Sequence, residues 1–383
     1  MTRCAVIFFI VLVCLSPSLE AASTEIRPAL ASFIEGRYAD AEDSLKTLLA
    51  RPGADRGAIC YLLGRINVWK GDVKAGFKWI EKAVEASPDS ADYQYWLGMV
   101  YGVRAQRASI FGKPGKARRT RKAFEEAVRL DPDHFAARTK LVEYHLNAPG
   151  LMGGDRKKAL RQAAEIASRS PMEGYMAQAI IHAKERAQDK REKAYLDAVA
   201  QANGDVRPVI SLATHYLRAE RRRDAIRVYE AFLQSYPDRG PVLRRLSNLY
   251  RLEKENEKAF LAARRSLEVA KDALAALAAE SHPGVQSFEK ALTAEGFRLQ
   301  ALYAVGRFSA LTGTELDLGL ESLTTYLRQQ PARWKFARIN GLYRLGRIYA
   351  RQGRQDLARD AYRNVLKLNK DHKGAKKALE NLE

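Results

Sequence analysis

Apolar residues recur along almost the whole chain at intervals of three and four, the spacing of one face of an α-helix. Between Cys60 and Pro88 a first helical pattern ends at Gly71 and Asp72, and a second one follows and closes at the proline. The same order of helix, turn and helix returns further along the chain. The pattern therefore predicts an all-α protein built from paired helices.

The helix pairs repeat with a period of thirty-four residues, which indicates an array of stacked units. Two sets of residues recur at this interval: Leu63 and Gly64 return as Leu97 and Gly98, and Leu212, Tyr216 and Ala225 return as Leu246, Tyr250 and Ala259. Small residues at such positions let two helices approach closely, and aromatic residues fill the space between units. These residues predict packing and identify no ligand.

The units resemble the tetratricopeptide repeat, which reads W-x2-L-G-x2-Y, then A-x3-F, then P. The best copies are Cys60, Leu63, Gly64, Ala83 and Pro88; Val209, Leu212, Ala213, Tyr216, Ala225, Tyr229 and Pro237; and Leu342, Leu345, Gly346, Tyr349, Ala358 and Tyr362. The resemblance implies a right-handed α-solenoid, a superhelix of about nine helix-turn-helix units from near Ala29 to Asn369. A polar C-terminal capping helix would close the array.

The first residues predict export. Arg3, an apolar run of about a dozen residues, Pro17 and the small residues before position 23 are typical of a cleaved signal peptide over residues 1–22. The run is shorter than the roughly 20 residues that span a bilayer. Removal of this segment leaves Cys60 as the sole cysteine, so no internal disulfide is expected. We expect a periplasmic or secreted protein.

Composition is ordinary for a folded protein, but charge is not. Apolar residues make up 46% and charged residues 29% of the 383 residues, and the formal net charge is +20. Because Arg3 and Glu20 cancel, loss of the signal peptide leaves this charge unchanged. The excess favours acidic partners such as an acidic protein segment, an anionic envelope polymer or a lipid surface. Export disfavours nucleic acid as a partner.

Two units are longer than the period. Pro88, Pro132 and Pro171 are separated by forty-four and thirty-nine residues, so one unit has ten extra residues and the next has five. The insertions lie near 109–118 and 147–154, each between the two helices of its unit. Such turns emerge on one edge of a helical solenoid, so we expect the insertions to be neighbours.

Turn chemistry accounts for the second insertion. We expect Pro149 to end one helix, Asp155 to cap the next, and Gly153 and Gly154 to adopt positive φ. Four apolar residues of the two insertions are expected to bury one another: Ile110, Phe111, Leu151 and Met152.

A break at Pro283 and Gly284 interrupts the later units. It predicts a hinge or subdomain boundary near Ser281, between an N-terminal array over 23–280 and C-terminal units over 281–383. The helical pattern resumes directly afterwards, so the two parts are not read as separate domains.

A cationic segment accompanies the insertions. Tyr93 to Phe124 contains no acidic residue and eight cations, and three more cations follow the second insertion. We call these eleven residues the basic edge: Arg104, Arg107, Lys113, Lys116, Arg118, Arg119, Arg121, Lys122, Arg156, Lys157 and Lys158. It is interpreted either as an anion-binding surface or as a solvated basic face.

In tetratricopeptide arrays the first helix of each unit lines a groove where peptides bind. The corresponding residues here are aromatic at one end, Tyr61, Arg65, Trp69, Tyr95 and Met99, and cationic at the other, Arg218, Arg244, Asn248, Arg251, Tyr343, Arg347 and Arg351. Aromatic and arginine side chains supply much of the binding energy at interfaces. Arg244 and Asn248, four apart, resemble part of a clamp for a peptide's terminal carboxylate.

Catalytic chemistry has little support. The six histidines occur singly, without H-E-x-x-H or a second ligand at metal spacing: His134, His145, His182, His215, His282 and His372. There is no G-x-S-x-G motif, and Cys60 occupies a packed repeat position. We therefore expect no catalytic residues, no metal site and no cofactor.

Overall fold

The computed structural model describes residues 26–109, 112–330 and 335–382. Its regular elements within these ranges are nineteen α-helices and one short 3-10 turn. The first ten helices are α1 (Arg27–Ile34), α2 (Tyr38–Leu49), α3 (Arg56–Trp69), α4 (Val73–Ala86), α5 (Ala91–Gln106), α6 (Lys113–Leu130), α7 (Phe135–Asn147), α8 (Arg156–Arg169), α9 (Pro171–Lys184) and α10 (Gln188–Ala200). The others are α11 (Val206–Arg218), α12 (Arg222–Ser235), α13 (Gly240–Leu252), α14 (Asn256–Ala278), α15 (Val285–Thr312), α16 (Leu316–Gln329), α17 (Lys335–Arg351), α18 (Gln355–Leu368) and α19 (Lys373–Glu380).

The helices form nine consecutive pairs, α1 with α2 through α17 with α18, and α19 follows as a single terminal helix. Several odd-numbered helices also contact one another: α7 with α9, α11 with α13, α13 with α15, and α15 with α17. We call the side of the array that the odd-numbered helices line the inner surface. The predicted all-α solenoid is confirmed.

Local chemistry explains the pairing. The Asp72 carboxylate caps α4 by accepting the Ala75 backbone N–H at 3.1 Å, and Gly71 adopts a φ of +88° in the turn before it. A Cβ atom at Gly64 would lie 2.6 Å from the Ile80 side chain, so α3 and α4 approach too closely for a larger residue. The small residues of the repeat therefore lie where paired helices touch.

The ten extra residues of the first insertion lengthen a helical hairpin. Helices α5 and α6 have 16 and 18 residues, whereas α3 and α4 have 14 each. Residues 113–118, predicted as inserted sequence between two helices, begin α6. Much of the excess is therefore helical.

The second insertion is held by polar contacts. Asp155 caps α8 by accepting the Lys157 N–H at 2.8 Å, and Gly153 has a φ of +93°, as predicted. Gly154 is not among the residues with positive φ, so that prediction was wrong. A Cβ atom there would instead lie 1.8 Å from the Ala148 carbonyl oxygen, and close backbone approach requires the glycine.

The described residues test only part of the predicted apolar contact between the insertions. Leu151 is 87% exposed, so its expected burial was wrong, and Ile110 and Phe111 lie outside the described residues. The Tyr144 hydroxyl donates to the Met152 carbonyl at 2.6 Å. This bond joins the turn to α7, and the Leu151 side chain is exposed to solvent. The turn Gly150–Met152 contacts α6, which brings the second insertion beside the helix that follows the first.

Two long helices close the array on itself. Helices α14 and α15 have 23 and 28 residues and contact α1, and α15 also contacts α3. Leu274 and Phe288 share a core with Phe33 of the first helix. The break near Ser281 lies between α14 and α15, and residues on both sides of it contribute to a common core. The proposed division at 280 stays a prediction.

Candidate binding surface

The N-terminal part of the inner surface is covered by α15. Tyr61 is buried and accepts a hydrogen bond from Arg65 at 3.0 Å, and Arg65 forms an ion pair with Glu289 of α15. The Arg65 guanidinium also lies 3.5 Å from the centre of the Trp96 ring. Burial raises the pKa of Glu289, and the charge of Arg65 opposes that effect. Tyr61 and Arg65 thus join two distant parts of the chain.

A buried polar network lies beside this pair. Glu295 of α15 is fully buried and accepts hydrogen bonds from the Tyr38 hydroxyl at 2.5 Å and from Arg298 Nε at 2.6 Å. Arg298 also donates to Gln329 at 2.6 Å, and Gln329 donates to the Glu35 carbonyl at 2.9 Å. Burial alone would lower the pKa of Arg298, but its bonds to Glu295 raise it overall. The first and eighth helix pairs are therefore linked through paired charges.

Trp69 belongs to the same closure. Its ring meets those of Phe33 and Tyr38 edge-on, with centroids 5.4 Å and 4.8 Å away. Tyr95 is half-buried against Phe124 of its own helix pair and His134 at the start of the next pair, and Met99 is half-buried on α5. The predicted aromatic residues are mostly engaged within the chain. Their contact with a partner stays a prediction.

The C-terminal part of the inner surface gathers arginines from three helices. The cluster comprises Arg244 and Arg251 of α13, Arg307 of α15, and Arg344 and Arg347 of α17, and we call it the arginine cluster. Arg251 Nη2 and Arg307 Nη2 both donate to Asn248 Oδ1, at 3.2 Å and 3.3 Å. Two guanidinium groups therefore meet at one neutral oxygen.

These arginines are mutually repulsive and partly removed from water. Burial, and then the charges of Arg251, Arg344 and Arg244, lower the pKa of Arg307 to about 10. Burial and then Arg245 lower the pKa of Arg244, and burial followed by Arg344 and Arg351 lowers that of Arg347. No aspartate or glutamate is among the groups that shift these three pKa values.

Several donors of the cluster lack an acceptor. The Nε atoms of Arg244, Arg307 and Arg344 are buried and have no hydrogen-bond partner. No salt bridge joins any member of the cluster to a carboxylate of the described residues. Buried donors are normally satisfied, so this arrangement favours an external acceptor.

Sequence reasoning found Arg244, Arg251 and Arg347 of this cluster but missed Arg307 and Arg344. Arg307 lies in the second half of α15, which at 28 residues is longer than a standard repeat helix. Arg344 precedes Arg347 by one helical turn, and that spacing was the available signal.

The other predicted residues of this end are placed differently. Arg351 donates to the Leu311 carbonyl at 2.8 Å and so satisfies the end of α15. Tyr343 packs against His372, with ring centroids 4.8 Å apart, close to the terminal helix. Arg218 is exposed and makes no hydrogen bond or ion pair to another described residue.

The basic edge is mostly exposed. Arg107, Lys113, Arg118, Arg119, Lys122, Arg156 and Lys157 are exposed, and Arg104, Lys116, Arg121 and Lys158 are half-buried. Two members have carboxylate partners: Arg121 lies 3.3 Å from Glu125, and Arg156 pairs with Glu185. Arg104 instead lies over the Phe77 ring, 3.8 Å from its centre. The other members carry charge without a carboxylate partner in the described ranges.

Other chemistry is sparse in the part of the chain that the structure describes. It contains no group of three or more His, Cys, Asp or Glu side chains arranged to hold a metal ion. None of its helices combines the length and apolar character needed to cross a membrane. Cys60 is buried, and burial raises the pKa of its thiol.

The geometry defines a helical repeat protein with a partly closed inner surface. Two family models of the tetratricopeptide repeat match the chain, one at residues 339–372 and the other at residues 35–91 and 210–276. The chain therefore contains tetratricopeptide repeats in its first, middle and last parts, as the period predicted. No curated protein matches the sequence significantly.

Solved structures similar to this chain are also helical repeat proteins. Yeast Tom70 has 11% identity and a TM-score of 0.46, with 95% of this chain and 81% of that chain covered. A tetratricopeptide repeat protein from Parabacteroides merdae has 14% identity and a TM-score of 0.40, with coverage of 73% and 99%. The MamA protein has 17% identity and a TM-score of 0.30, with coverage of 47% and 91%. Similarities at this level do not identify a ligand.

Proposed function

We propose that this protein is a non-enzymatic scaffold or adaptor of the bacterial cell envelope that binds an acidic segment of a partner protein on its inner surface. Tetratricopeptide repeats are protein-interaction modules, and the signal-like segment at residues 1–22 supports export. The observation that carries the proposal is the arginine cluster, in which buried guanidinium donors lack carboxylate partners.

The inner surface offers a partner two unequal parts. In the N-terminal part, the guanidinium of Arg65 already forms an ion pair with the Glu289 carboxylate, and α15 covers the aromatic side chains. Around Arg307 the acceptor is the neutral oxygen of Asn248, which leaves the charge uncompensated. An acidic segment gains most where buried positive charge has no internal partner. We therefore place the contact at the arginine cluster.

Binding of a fluorescent ten-residue glutamate peptide, followed by anisotropy at low and moderate salt, tests this proposal. We expect the double variant Arg251→Ala, Arg347→Ala to bind at least tenfold more weakly than the parent. The matched control is Arg223→Ala, Arg328→Ala, which removes two exposed arginines from α12 and α16. Equal binding by the two double variants would refute the proposed site. Trp69 is left unchanged because it packs between Phe33 and Tyr38.

Envelope location has a separate test. Expression of the tagged chain in a Gram-negative host, followed by periplasmic extraction and mass measurement, should give a protein that begins near residue 23. Retention of the intact chain in the cytoplasm would refute export without affecting the binding proposal.

A second candidate function is binding of an anionic polymer or membrane surface through the basic edge. The observation in its favour is that Lys113, Arg118 and Lys122 on α6 are exposed and have no carboxylate partner within the described ranges. Such attraction is screened by salt.

Sedimentation with vesicles that contain phosphatidylglycerol tests this second candidate. The triple alanine variant of Lys113, Arg118 and Lys122 should lose salt-sensitive binding. A triple alanine variant of three exposed C-terminal lysines should keep it: Lys370, Lys373 and Lys376. If both variants bind alike, net charge and not the basic edge is responsible.

A further inference from the structure

Two guanidinium groups converge on a single neutral atom at the centre of the arginine cluster. Asn248 Oδ1 accepts from Arg251 Nη2 at 3.2 Å and from Arg307 Nη2 at 3.3 Å, and from Arg251 Nε at 3.4 Å. All three contacts are longer than the 2.7–2.9 Å that is usual when a guanidinium meets an anion. The carboxamide oxygen is thus a weak acceptor at a place where several strong donors meet.

Three other guanidinium donors of the cluster have no hydrogen-bond acceptor. Arg307 Nε, Arg244 Nε and Arg344 Nε are buried without an acceptor, although each comes from a different helix. Arg307 is further flanked by the Tyr303 and Phe308 rings, whose centres lie 5.8 Å and 5.3 Å from its guanidinium carbon. These rings limit where its charged end can go. The cluster is a preorganised set of donors from α13, α15 and α17.

We propose that the arginine cluster binds a compact dianionic oxyanion of the phosphate monoester class, held between Arg251, Arg307 and Arg344. The inference rests on the proposed function, because it names the acidic group that would occupy the same inner surface. A phosphate monoester would replace Asn248 as the acceptor for Arg251 and Arg307. Its additional oxygens would accept hydrogen bonds from the Nε donors that lack an acceptor.

The choice of a dianion follows from the number of charges. One carboxylate brings a single negative charge and two oxygens, so most of the cluster would stay uncompensated. A phosphate monoester carries a charge between −1.5 and −2 near neutral pH and has three strong acceptor oxygens. The cluster also consists of arginines without a lysine, and planar guanidinium groups bind such oxyanions in bidentate fashion.

Two sources display this chemistry: free phosphate compounds of low mass, and a phosphorylated side chain of a partner protein. A membrane surface is disfavoured because Arg307 lies half-buried within the inner layer, between Tyr303 and Phe308. The experiment therefore compares free phosphate with a phosphate carried by a peptide.

The test uses the purified protein in a buffer free of phosphate and sulfate. The probes are inorganic phosphate and three peptides of otherwise identical sequence that carry phosphoserine, glutamate or serine at the central position. Peptide binding is followed by fluorescence anisotropy, and phosphate binding by calorimetry and by the shift in Tm. We expect the phosphoserine peptide to bind at least tenfold more tightly than the glutamate peptide, and inorganic phosphate to displace it.

Arg307→Met is the main variant, and Arg344→Met is a second variant in case the first does not fold. Each should weaken binding of the phosphoserine peptide at least tenfold. Arg307→Lys keeps the charge but removes the planar fork, so an intermediate loss is expected. The matched control Arg223→Met removes an exposed arginine of α12 and should bind within twofold of the parent.

The outcomes separate this inference from the proposed function. Equal affinity for the phosphoserine and glutamate peptides would overturn the dianion and leave the acidic-segment proposal standing. Binding of inorganic phosphate alone, lost in both methionine variants, would support the site and identify a small phosphate compound as its source. Lack of binding by every probe would overturn this inference, whereas the proposed function is decided by the ten-residue glutamate peptide.

Discussion

Arg65 and Arg307 lie on the same inner surface but in opposite electrostatic surroundings. Arg65 forms an ion pair with Glu289, whereas Arg307 meets the neutral Asn248 and three other arginines. Helix α15 takes part in both places, since its first half carries Glu289 and its second half carries Arg307. The difference shows that a carboxylate of the chain compensates one arginine of this surface and that the other has only a neutral acceptor.

The stability of the N-terminal part of the inner surface, where arginines are paired with carboxylates, should depend strongly on those carboxylates. Glu295→Ala leaves Arg298 buried without its partner, and removing one member of a buried ion pair costs about 3–5 kcal/mol. We expect this loss in the free energy of unfolding measured with urea. Glu321→Ala, which removes an exposed carboxylate from α16, is the control and should change it by less than about 0.5 kcal/mol. A similar effect of both changes would contradict the structural role of the network.

In the arginine cluster, loss of a charged side chain should raise the free energy of unfolding. Arg307→Met removes a partly buried charge that has no counterion. Replacing buried ion pairs by apolar residues stabilises proteins by up to about 1–4 kcal/mol, and we expect a gain of the same sign here. The folded pKa of Arg307 is near 10 and the unfolded one is higher, so the parent recovers stability as pH rises through that value. The advantage of the variant should therefore be largest near pH 7 and should shrink by pH 10.5. Urea denaturation at both pH values tests this, and a destabilised variant at pH 7 would refute it.

A carboxylate introduced into the arginine cluster should compensate its charge, as Glu289 does for Arg65. Asn248→Asp places a negative charge where Arg251 and Arg307 already donate, so we expect a gain of about 1–2 kcal/mol in the free energy of unfolding. The same carboxylate would compete with an external anion, and binding of the phosphoserine peptide should fall at least tenfold. If stability rises while binding is unchanged, the anion binds elsewhere.

The smallest effect is expected at Arg218. This residue was predicted to line the groove, but its side chain is exposed and has no hydrogen bond or ion pair among the described residues. Arg218→Ala should change the free energy of unfolding by less than about 0.5 kcal/mol and peptide affinity by less than twofold. A larger loss of affinity would extend the binding surface towards α11.

The repeated helix pairs could be predicted from the sequence because their causes are local. Gly64 and Ile80 are sixteen residues apart and belong to one unit, and Asp72 caps the helix that it precedes. Periodicity reports such short-range packing directly. The same reasoning placed Asp155 and Gly153 correctly in the second insertion.

The length of α15 could not be predicted from the thirty-four-residue period. This helix continues for 28 residues, and besides its neighbours along the chain it contacts α1 and α3, which lie more than two hundred residues away. The hydrogen bond between Tyr38 and Glu295 spans 257 positions, and no local pattern predicts it. For this reason the sequence predicts Tyr61 and Trp69 in a peptide-binding groove, whereas in the folded chain both residues lie against α15.

The sequence by itself determined that this protein is a helical repeat array, where several of its turns and caps fall, such as those at Asp72 and Asp155, and that it carries a large positive charge. Those properties depend on residue type and on spacing within one unit. The tertiary structure alone decided which positive charges are compensated, because an ion pair depends on distance in space and not on separation along the chain. Arg65 and Arg307 look alike in the sequence, and the path of α15 makes one of them a structural residue and the other a candidate for binding.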